Sequence, residues 1–346
     1  MPGTPAAAAA LFLGPMAAGA AMTWAALRYA RRRGLLDQPG ERRSHAVATP
    51  RGGGISITIV LLAALLAMGW WFPALRLVLQ AGALGLVLVA TVGWIDDHRP
   101  LSAKVRLLAH AISAAMLAAA LLVEGHGVLP AAIAFAAVLV LVNVWNFMDG
   151  INGLAASQGA IAALAYAALA QAGSPAWTLA LVVAGACCGF LPFNFPRARI
   201  FLGDVGSGTL GHGLALLLVL VLVIPVAGDG TPASAWPLLV LPLATFLVDA
   251  SLTLGRRMLR GEAWWQPHVQ HAYQVWSRRL GRHAPVTLAY AGWSAAGAAV
   301  MLGVNMTHGT FIIAPAAALG WCLVSAAGWW VLQRVSQEGK GRIQQK

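Results

Sequence analysis

The chain has 346 residues, of which 59% are hydrophobic and 10% are charged, with 23 Lys and Arg against 11 Asp and Glu. In a typical soluble domain about a quarter of the residues are charged. This composition therefore excludes a soluble enzyme, a disordered segment and a nucleic-acid-binding module, despite the net charge of +12. The three cysteines all lie in apolar runs, which excludes a disulfide scaffold. These exclusions leave an all-α, polytopic integral membrane protein.

Apolar segments recur along the whole chain. A helix needs about 20 apolar residues to cross the hydrocarbon core of a bilayer. About eleven transmembrane helices are predicted, near 6–28, 55–72, 76–95, 105–123, 130–148, 154–171, 176–195, 207–227, 236–255, 285–304 and 310–332.

The Lys and Arg residues predict the orientation. If the eleven segments all cross the membrane, 22 of the 23 basic residues fall on one side, and only Arg76 lies opposite. This asymmetry predicts an outside N-terminus and a cytoplasmic C-terminus, and it explains the high net charge without any nucleic-acid partner. We expect one transmembrane domain over residues 1–346, with cytoplasmic loops near 29–54, 96–104, 149–153, 196–206 and 256–284.

The first polar cluster ends the third predicted helix. Asp96 and Asp97 are adjacent, and the cation Lys104 follows. Carboxylates this close repel each other, so the pair favours a metal ion, a proton or a nearby Arg. Mg²⁺ binds one or two carboxylates together with phosphate oxygens. The alternative is an ordinary solvated loop.

The second cluster interrupts a hydrophobic region over residues 143–154. Asn143, Asn146 and Gly150 would share one helical face if the helix ran that far, and Asp149 and Asn152 lie beside them. Buried amides and carboxylates need partners, and a plain loop does not require such a density of polar groups.

The third cluster precedes the eighth predicted helix. Arg197 and Arg199 are followed by a Gly-rich turn with Asp204, and such a turn at a helix N-terminus favours anions. Residues 206–211 match G-x-G-x-x-G, but no strand precedes them, so the pattern favours close helix packing over dinucleotide binding.

The fourth cluster lies in the basic loop that contains His268 and His271. Two His three residues apart suit zinc, but Cys ligands and an H-E-x-x-H pattern are missing, so a phosphate-binding loop is favoured over a simple membrane anchor. Asp249 falls inside the ninth predicted span, where a charge costs about 2.5–3.5 kcal/mol. It is expected to face polar protein groups, and its role, functional or structural, is open.

Together these clusters describe a site for Mg²⁺ and phosphate at the inner leaflet. An enzyme with a lipid-phosphate acceptor and a nucleotide donor needs this placement. The most specific motifs are Thr-Pro-Arg-Gly-Gly-Gly at 49–54, Asp-Asp at 96–97, Asn-x-x-Asn-Phe-Met-Asp-Gly-Ile-Asn-Gly-Leu-Ala at 143–155, Phe-Leu-Gly-Asp-x-Gly-Ser at 201–207 and His-x-x-His at 268–271. On these motifs, the chain resembles the polyprenyl-phosphate N-acetylhexosamine-1-phosphate transferases of the glycosyltransferase 4 family over about residues 43–284.

The resemblance implies a reaction. A UDP-N-acetylhexosamine and undecaprenyl phosphate give undecaprenyl-diphospho-N-acetylhexosamine and UMP, with Mg²⁺, or Mn²⁺ in its place, as the cofactor. This is the initiating membrane step of cell-surface glycan synthesis of the O-antigen kind. The resemblance further implies a multi-pass protein of the inner membrane, surrounded by membrane lipids, whose active site faces the cytoplasm. The oligomeric state considered is a homodimer.

The resemblance also implies roles for residues. Asp204 matches the metal-binding Asp of the family, and Asn146 matches a second metal or diphosphate contact. Asp96 and Asp97 match the position assigned to the lipid phosphate and count with Asp204 as catalytic. Substrate contacts are implied for Lys104, Asn143, Asp149, Asn152, Arg199, His268 and His271.

Two departures from the family pattern favour the O-antigen-initiating branch. The third Asp of the acidic loop is absent, and the three successive His of the phospho-MurNAc-pentapeptide translocase branch are replaced by His268-x-x-His271. The sugar stays open among GlcNAc, QuiNAc and FucNAc. Two alternatives are the synthesis of lipid I for peptidoglycan and the transport of an anionic solute. Polar groups within the membrane are typical of transporters, but in this sequence they gather at one membrane face and not at the middle of the membrane.

Overall fold

The computed structural model describes residues 3–38, 47–224, 233–263, 265–266, 268–307 and 310–343, and within these the side chains of all residues except 233–235, 310–311 and 335–343. Residues 39–46 of the predicted loop 29–54, Trp264 and Pro267 of the predicted loop 256–284, and the end of the predicted span 207–227 lie outside the described residues.

The described chain is almost entirely helical, which confirms the all-α class. The helices are α1 (Pro5–Arg33), α2 (Ile55–Trp71), α3 (Arg76–His98), α4 (Ala103–Val123), α5 (Val128–Phe147), α6 (Leu154–Leu169), α7 (Pro175–Asn194), α8 (Gly203–Val223), α9 (Ala244–Leu259), α10 (Ala272–Leu280), α11 (Ala284–Asn305) and α12 (Thr310–Ile343). Two 3₁₀ helices, η1 (Pro73–Leu75) and η2 (Ala233–Leu243), precede α3 and α9, and two short strands, β1 (Leu36–Asp37) and β2 (Thr49–Pro50), pair antiparallel.

Each of the eleven predicted segments coincides with a helical stretch. Among the described residues, nine helical stretches are long and apolar enough to cross a membrane. The other two predicted segments, α2 with 17 residues and α6 with 16, are apolar but shorter. The ninth predicted segment is a 3₁₀ helix that contains Pro237 and Pro242 and leads into α9, because proline offers no N–H for a regular α-helical ladder. The polytopic membrane class is therefore confirmed.

The structure defines the helix ends beside two of the polar clusters. Between Asp96 and Lys104 only residues 99–102 are non-helical, because α3 continues to His98 and α4 begins at Ala103. The helix that carries Asn143 ends at Phe147, so Gly150 lies in the following turn and does not share a helical face with it. The local reason is a glycine-containing turn that closes with Gly153 in the left-handed region, at φ +74°.

Helix α8 occupies the centre of the bundle. Every residue from Val205 to Leu217 is buried, and the helix packs against α2, α3, α5, α6 and α7. A Cβ atom added to Gly54 would clash with the Cα of Gly206, so the backbones at the start of α2 and in α8 touch at this point. Small residues that allow such approach drive helix association in a bilayer, where burial of apolar surface provides little force. This contact confirms helix packing as the reason for the G-x-G-x-x-G pattern.

The segment before α2 is attached to the segment before α8 by backbone hydrogen bonds. Phe201 N donates to Pro50 O over 2.8 Å, Gly53 N donates to Phe201 O over 2.9 Å, and Gly54 N donates to Leu202 O over 2.8 Å. The Thr-Pro-Arg-Gly-Gly-Gly motif and the Phe-Leu-Gly-Asp motif, about 150 residues apart, thereby form one layer beside the end of α3.

Candidate active site

An acidic cluster with one arginine forms where α3, α4 and α8 meet. Asp96 lies in the last turn of α3, and Asp204 lies in the first turn of α8. Arg106 Nη1 donates to Asp96 Oδ2 over 2.9 Å and to Asp204 Oδ2 over 3.3 Å. The two carboxylates therefore share one guanidinium group. No role was predicted for Arg106, although its place one turn into α4, after the two aspartates, is a usable signal.

Asp97 faces away from that arginine and caps α8. Its Oδ1 accepts the backbone N–H of Asp204 over 3.1 Å, and its Oδ2 accepts that of Val205 over 3.2 Å. The carboxylate is buried, and it meets the positive end of the α8 dipole, which stabilises an anion. Gly203 adopts φ +76°, and a Cβ atom there would lie 2.6 Å from Asp97 Oδ2, so glycine is required.

Asn146 connects α5 to the acidic cluster. Its Nδ2 donates to Asp204 Oδ1 over 2.9 Å and to Ser207 Oγ over 3.3 Å. Asn143, one turn earlier, donates to Leu139 O over 2.7 Å and contacts His110 of α4. The structure therefore brings Asn146 to the cluster and places Asn143 beside α4.

Asp149 is the fourth carboxylate of this region. It accepts the backbone N–H of Gly203, at the start of α8. Burial raises the pKa of Asp149 well above its ordinary value, and the nearby charges of Asp204 and Asp97 raise it further. Four predicted site residues, Asp96, Asp97, Asp149 and Asp204, thus lie within electrostatic reach of one another.

The second and third motifs are joined by an asparagine whose role was missed in the sequence. Asn194 is buried, accepts Gly153 N at its Oδ1 over 2.6 Å, and donates from Nδ2 to Ile200 O over 2.9 Å. Asn152 adds a second link, because its Nδ2 donates to Pro196 O over 3.1 Å. The predicted substrate contact of Asn152 stays a prediction.

Two predicted basic residues lie away from the cluster. Arg199 is exposed, donates from Nη2 to Pro192 O over 2.8 Å, and places its guanidinium 4.6 Å from the centre of the Phe193 ring. Lys104 is exposed at the start of α4 and shows no hydrogen bond or ion pair with the part of the chain that the structure describes. Their predicted phosphate contacts stay predictions.

The histidine loop is organised by Asp249. This buried carboxylate accepts Ala272 N over 2.8 Å and Tyr273 N over 3.2 Å, at the N-terminus of α10, and Tyr290 Oη over 2.8 Å. It also lies 3.6 Å from His271 Nδ1. Asp249 therefore faces polar protein groups, as predicted, and orders the start of α10 next to the ring of His271.

The two histidines form a pair beside the end of α5. The ring centroids of His268 and His271 are 4.8 Å apart, and that of Phe147 is 6.3 Å from His271. Tyr273 Oη donates to Phe147 O over 3.0 Å, which ties α10 to the second motif. Burial, helped by the neighbouring His271 and Arg257, lowers the pKa of His268 to about 4, so this ring is neutral near pH 7.

The acidic cluster suits a hard cation that substrate phosphates complete. Asp96 and Asp204 each turn one oxygen toward the same cationic group, and Asn146 lies beside Asp204. Among the described residues, no three His, Cys, Asp or Glu side chains form a group that could hold a metal ion. Mg²⁺ commonly uses one or two carboxylates and takes its remaining ligands from water and substrate phosphate. The residues present fit that arrangement.

Fold and site define a multi-pass membrane protein with an acidic site at one end of its helix bundle. A family model described as glycosyl transferase family 4 matches residues 79–222, which include all four clustered aspartates. A probable undecaprenyl-phosphate N-acetylglucosaminyl 1-phosphate transferase of Bacillus subtilis is 30% identical over 256 residues, 69% of each chain. A decaprenyl-phosphate N-acetylglucosaminephosphotransferase of Mycobacterium tuberculosis is 31% identical over 281 residues, 70% of this chain and 69% of that protein.

A phospho-N-acetylmuramoyl-pentapeptide-transferase of Heliobacterium modesticaldum is 36% identical over 168 residues, 47% of each chain. This chain belongs to glycosyl transferase family 4, and the predicted family is confirmed.

Proposed function

We propose that this protein transfers N-acetylhexosamine 1-phosphate from a UDP-sugar to undecaprenyl phosphate, releasing UMP. The observation that carries the proposal is the Asp96–Arg106–Asp204–Asn146 cluster, which lies within the family match at one end of the bundle. Relatives named for undecaprenyl and decaprenyl phosphate support the acceptor class.

N-acetylglucosamine is the sugar that we propose first. The Bacillus and Mycobacterium relatives are named for it and match about 70% of this chain, whereas the pentapeptide transferase matches 47%. This difference agrees with the branch that the His-x-x-His loop and the missing third Asp favour. The step would initiate the assembly of a cell-surface glycan.

The reaction joins two anionic groups, so its main requirements are positioning and charge neutralisation. An oxygen of the lipid phosphate attacks the β-phosphorus of the UDP-sugar, the bond from that phosphorus to the bridging oxygen breaks, and UMP leaves with both electrons. A lipid phosphate is already largely anionic near pH 7, so direct attack needs no strong base. Mg²⁺, when bound, would neutralise charge on the diphosphate.

The residues of the acidic cluster would have different roles in this reaction. Asp204, Asp96 and the amide oxygen of Asn146 would hold the cation. Arg106, which already bridges the two carboxylates, offers N–H donors to a phosphate oxygen. Asp97 fixes the start of α8, on which Asp204 is carried.

We further infer an inner-membrane location with the site facing the cytoplasm. The site combines segments 51–54, 96–106, 149–153, 199–204 and 268–273, and all of them except 149–153 contain, or lie within a few residues of, the basic residues that predict the cytoplasmic side. A reporter fused after residue 270 should report the cytoplasm, and a periplasmic signal would contradict this orientation. Molecular mass in detergent tests the predicted homodimer.

The reaction itself is tested with purified protein. We expect UMP release from UDP-GlcNAc only when undecaprenyl phosphate and a divalent cation are both present. A panel with UDP-QuiNAc, UDP-FucNAc and UDP-MurNAc-pentapeptide as donors decides the sugar. Absence of UMP with every donor would refute the proposed function.

A further inference from the structure

A second attachment of the histidine loop comes from α12, the last helix of the described chain. Much of α12 is exposed, with Val331 51% exposed and Trp330 48% exposed. Gln333, in contrast, is only 7% exposed and lies where α12 packs against α9 and α10. A buried amide needs hydrogen-bond partners, so the partners of Gln333 indicate what this part of α12 does.

Gln333 uses both ends of its amide group. Its Oε1 accepts from Arg256 Nη1 over 2.9 Å, and its Nε2 donates to Gln270 O over 2.8 Å. Arg256 Nη2 donates to the same carbonyl oxygen over 3.4 Å. Glutamine suits this position because its side chain both accepts and donates, whereas an ionised carboxylate only accepts and an ammonium only donates. The helices α9 and α12 are thereby joined to the histidine loop at one carbonyl group.

That carbonyl belongs to the peptide group between Gln270 and His271. The N–H of the same peptide group, on His271, donates to Gln274 Oε1 over 3.3 Å. A peptide group is planar, so partners at its two ends fix its orientation and the direction in which the His271 side chain leaves the backbone. The partners on the carbonyl side are Gln333 and Arg256.

The preceding part of the loop depends on the same residue, Gln270. Gln270 N donates to His268 Nδ1 over 3.3 Å, and Gln270 Nε2 donates to Glu262 Oε2 over 2.8 Å. The rings of His268 and His271 are 4.8 Å apart between centroids. A shift of the Gln270 carbonyl would therefore displace both histidine rings.

Trp329, one turn before Gln333, fixes the position of α12 against α9. Its Nε1 donates to Thr253 Oγ1 over 3.1 Å, and the guanidinium of Arg256 lies 5.3 Å from the centre of its ring. Thr253 Oγ1 in turn donates to Asp249 Oδ1 over 3.1 Å. The contacts of α12 thus continue those that Asp249 makes with the start of α10.

We propose that Gln333 is a positioning residue for the UDP-sugar, because it holds the peptide group between Gln270 and His271. The proposal rests on the proposed function and on the substrate contacts predicted for His268 and His271. It extends the site to a helix that lies beyond residues 79–222 of the family match. The alternative is that Gln333 only attaches α12 to the bundle. Attachment alone would affect both substrates alike, whereas a positioning role affects the UDP-sugar selectively.

Kinetics with two variants of the full-length protein separate these roles. Gln333→Met keeps the length of the side chain and removes both hydrogen bonds, whereas Gln333→Glu still accepts from Arg256 but cannot donate to Gln270 O. For each variant we expect the KM for the UDP-sugar to rise about tenfold, which corresponds to about 1.4 kcal/mol, with the KM for undecaprenyl phosphate unchanged. Val331→Ala, at an exposed residue of the same helix, is the control and should match wild type. A wild-type KM for the UDP-sugar in either Gln333 variant, or an equal rise for both substrates, would overturn the proposal.

Hydrogen–deuterium exchange tests the same contact without turnover. We expect faster exchange in peptides that cover residues 268–274 in Gln333→Met than in Val331→Ala, with no change in peptides of α8. Unchanged exchange over residues 268–274, or an equal increase across the whole domain, would refute the positioning role. Gln333→Glu takes the place of Gln333→Met if the latter cannot be purified. If wild type releases no UMP, the proposed function fails, while the exchange result still decides whether Gln333 orders the loop.

Discussion

The carboxylate of Asp97 accepts the backbone N–H of Asp204 over 3.1 Å. Asp97 therefore holds in place the start of α8, which carries the carboxylate of Asp204. Asp96 instead faces Arg106 over 2.9 Å. Neighbouring residues on a helix point about 100° apart, which lets two adjacent aspartates serve different groups. In the Asp-Asp motif, Asp96 thus contacts the arginine of the acidic cluster, and Asp97 caps α8.

Replacing Asp97 with Asn should reduce both stability and activity. The amide oxygen can accept one N–H of α8 at most, and the charge that favours the helix N-terminus is lost. We expect a stability loss of about 1–2 kcal/mol and a lower thermal midpoint in detergent, together with reduced UMP release. An unchanged midpoint would contradict the capping role.

Replacing Asp204 with Asn should separate these two effects. Asp204 lies among Asp96, Asp97 and Asp149, so removing its charge relieves repulsion and leaves the fold intact. We expect UMP release to fall about 100-fold or more, with a thermal midpoint equal to or above that of wild type. The control is Glu124→Gln, at the residue that follows α4, whose carboxylate accepts Leu77 N at the start of α3 over 2.9 Å. That variant should lose stability and keep its turnover; a matching loss of turnover would contradict the assignment.

Arg106 and Arg199 should differ in their effect on turnover, although both lie within ten residues of a clustered aspartate in the sequence. Arg106 bridges Asp96 and Asp204, whereas Arg199 is hydrogen-bonded to Pro192 and stacked on Phe193. A charge-assisted hydrogen bond contributes about 1.5–3 kcal/mol, so Arg106→Gln should lower kcat/KM more than tenfold. Arg199→Gln should change it by less than about threefold, since an exposed side chain of this kind contributes little. The reverse order, measured by UMP release, would favour the contact predicted from sequence.

Asp249→Asn should disturb the histidine loop, because Asp249 of α9 contacts the loop directly where α10 begins. The carboxylate orders the N-terminus of α10 and Tyr290, and one amide oxygen cannot replace two carboxylate oxygens. We expect a stability loss of about 1–3 kcal/mol and a higher KM for the UDP-sugar with a smaller change in kcat. Leu259→Ala, at a residue of the same helix that is 91% exposed, is the control. A variant with wild-type KM would show that the loop does not depend on Asp249.

The pH dependence should not reflect His268. Its pKa of about 4 lies below the ordinary value, so the ring is neutral in the folded protein and gains a proton only as the pH falls toward that value. Between about pH 5.5 and 8, where an unperturbed histidine titrates, His268→Gln should leave the shape of the kcat/KM profile unchanged, even if its height falls. An acid limb that disappears in this variant would contradict the prediction.

Much of the fold could be predicted because the decisive information is local. A run of about 20 apolar residues becomes a helix in a bilayer whatever surrounds it, since every backbone polar group must be paired internally. The eleven segments, the polar clusters and the family followed from such patterns. The predicted end of the fifth segment, at residue 148, agrees with the end of α5 at Phe147. What the sequence did not reveal is that Asn194 and Tyr273, from distant segments, contact the turn that contains Gly150 and Gly153.

The roles within the clusters could not be predicted in the same way. The hydroxyl groups of Ser102 and Ser174 cap their own helices by accepting the backbone N–H three residues later, a pattern that the sequence reveals. The helices α8 and α10 are capped instead by Asp97 and Asp249, residues 107 and 23 positions away. By itself, the sequence determined the membrane class, the helical segments and the residues that carry charge. Only the tertiary structure decided which carboxylate meets Arg106 and which meets a helix N-terminus, because these partners become neighbours only when the helices pack.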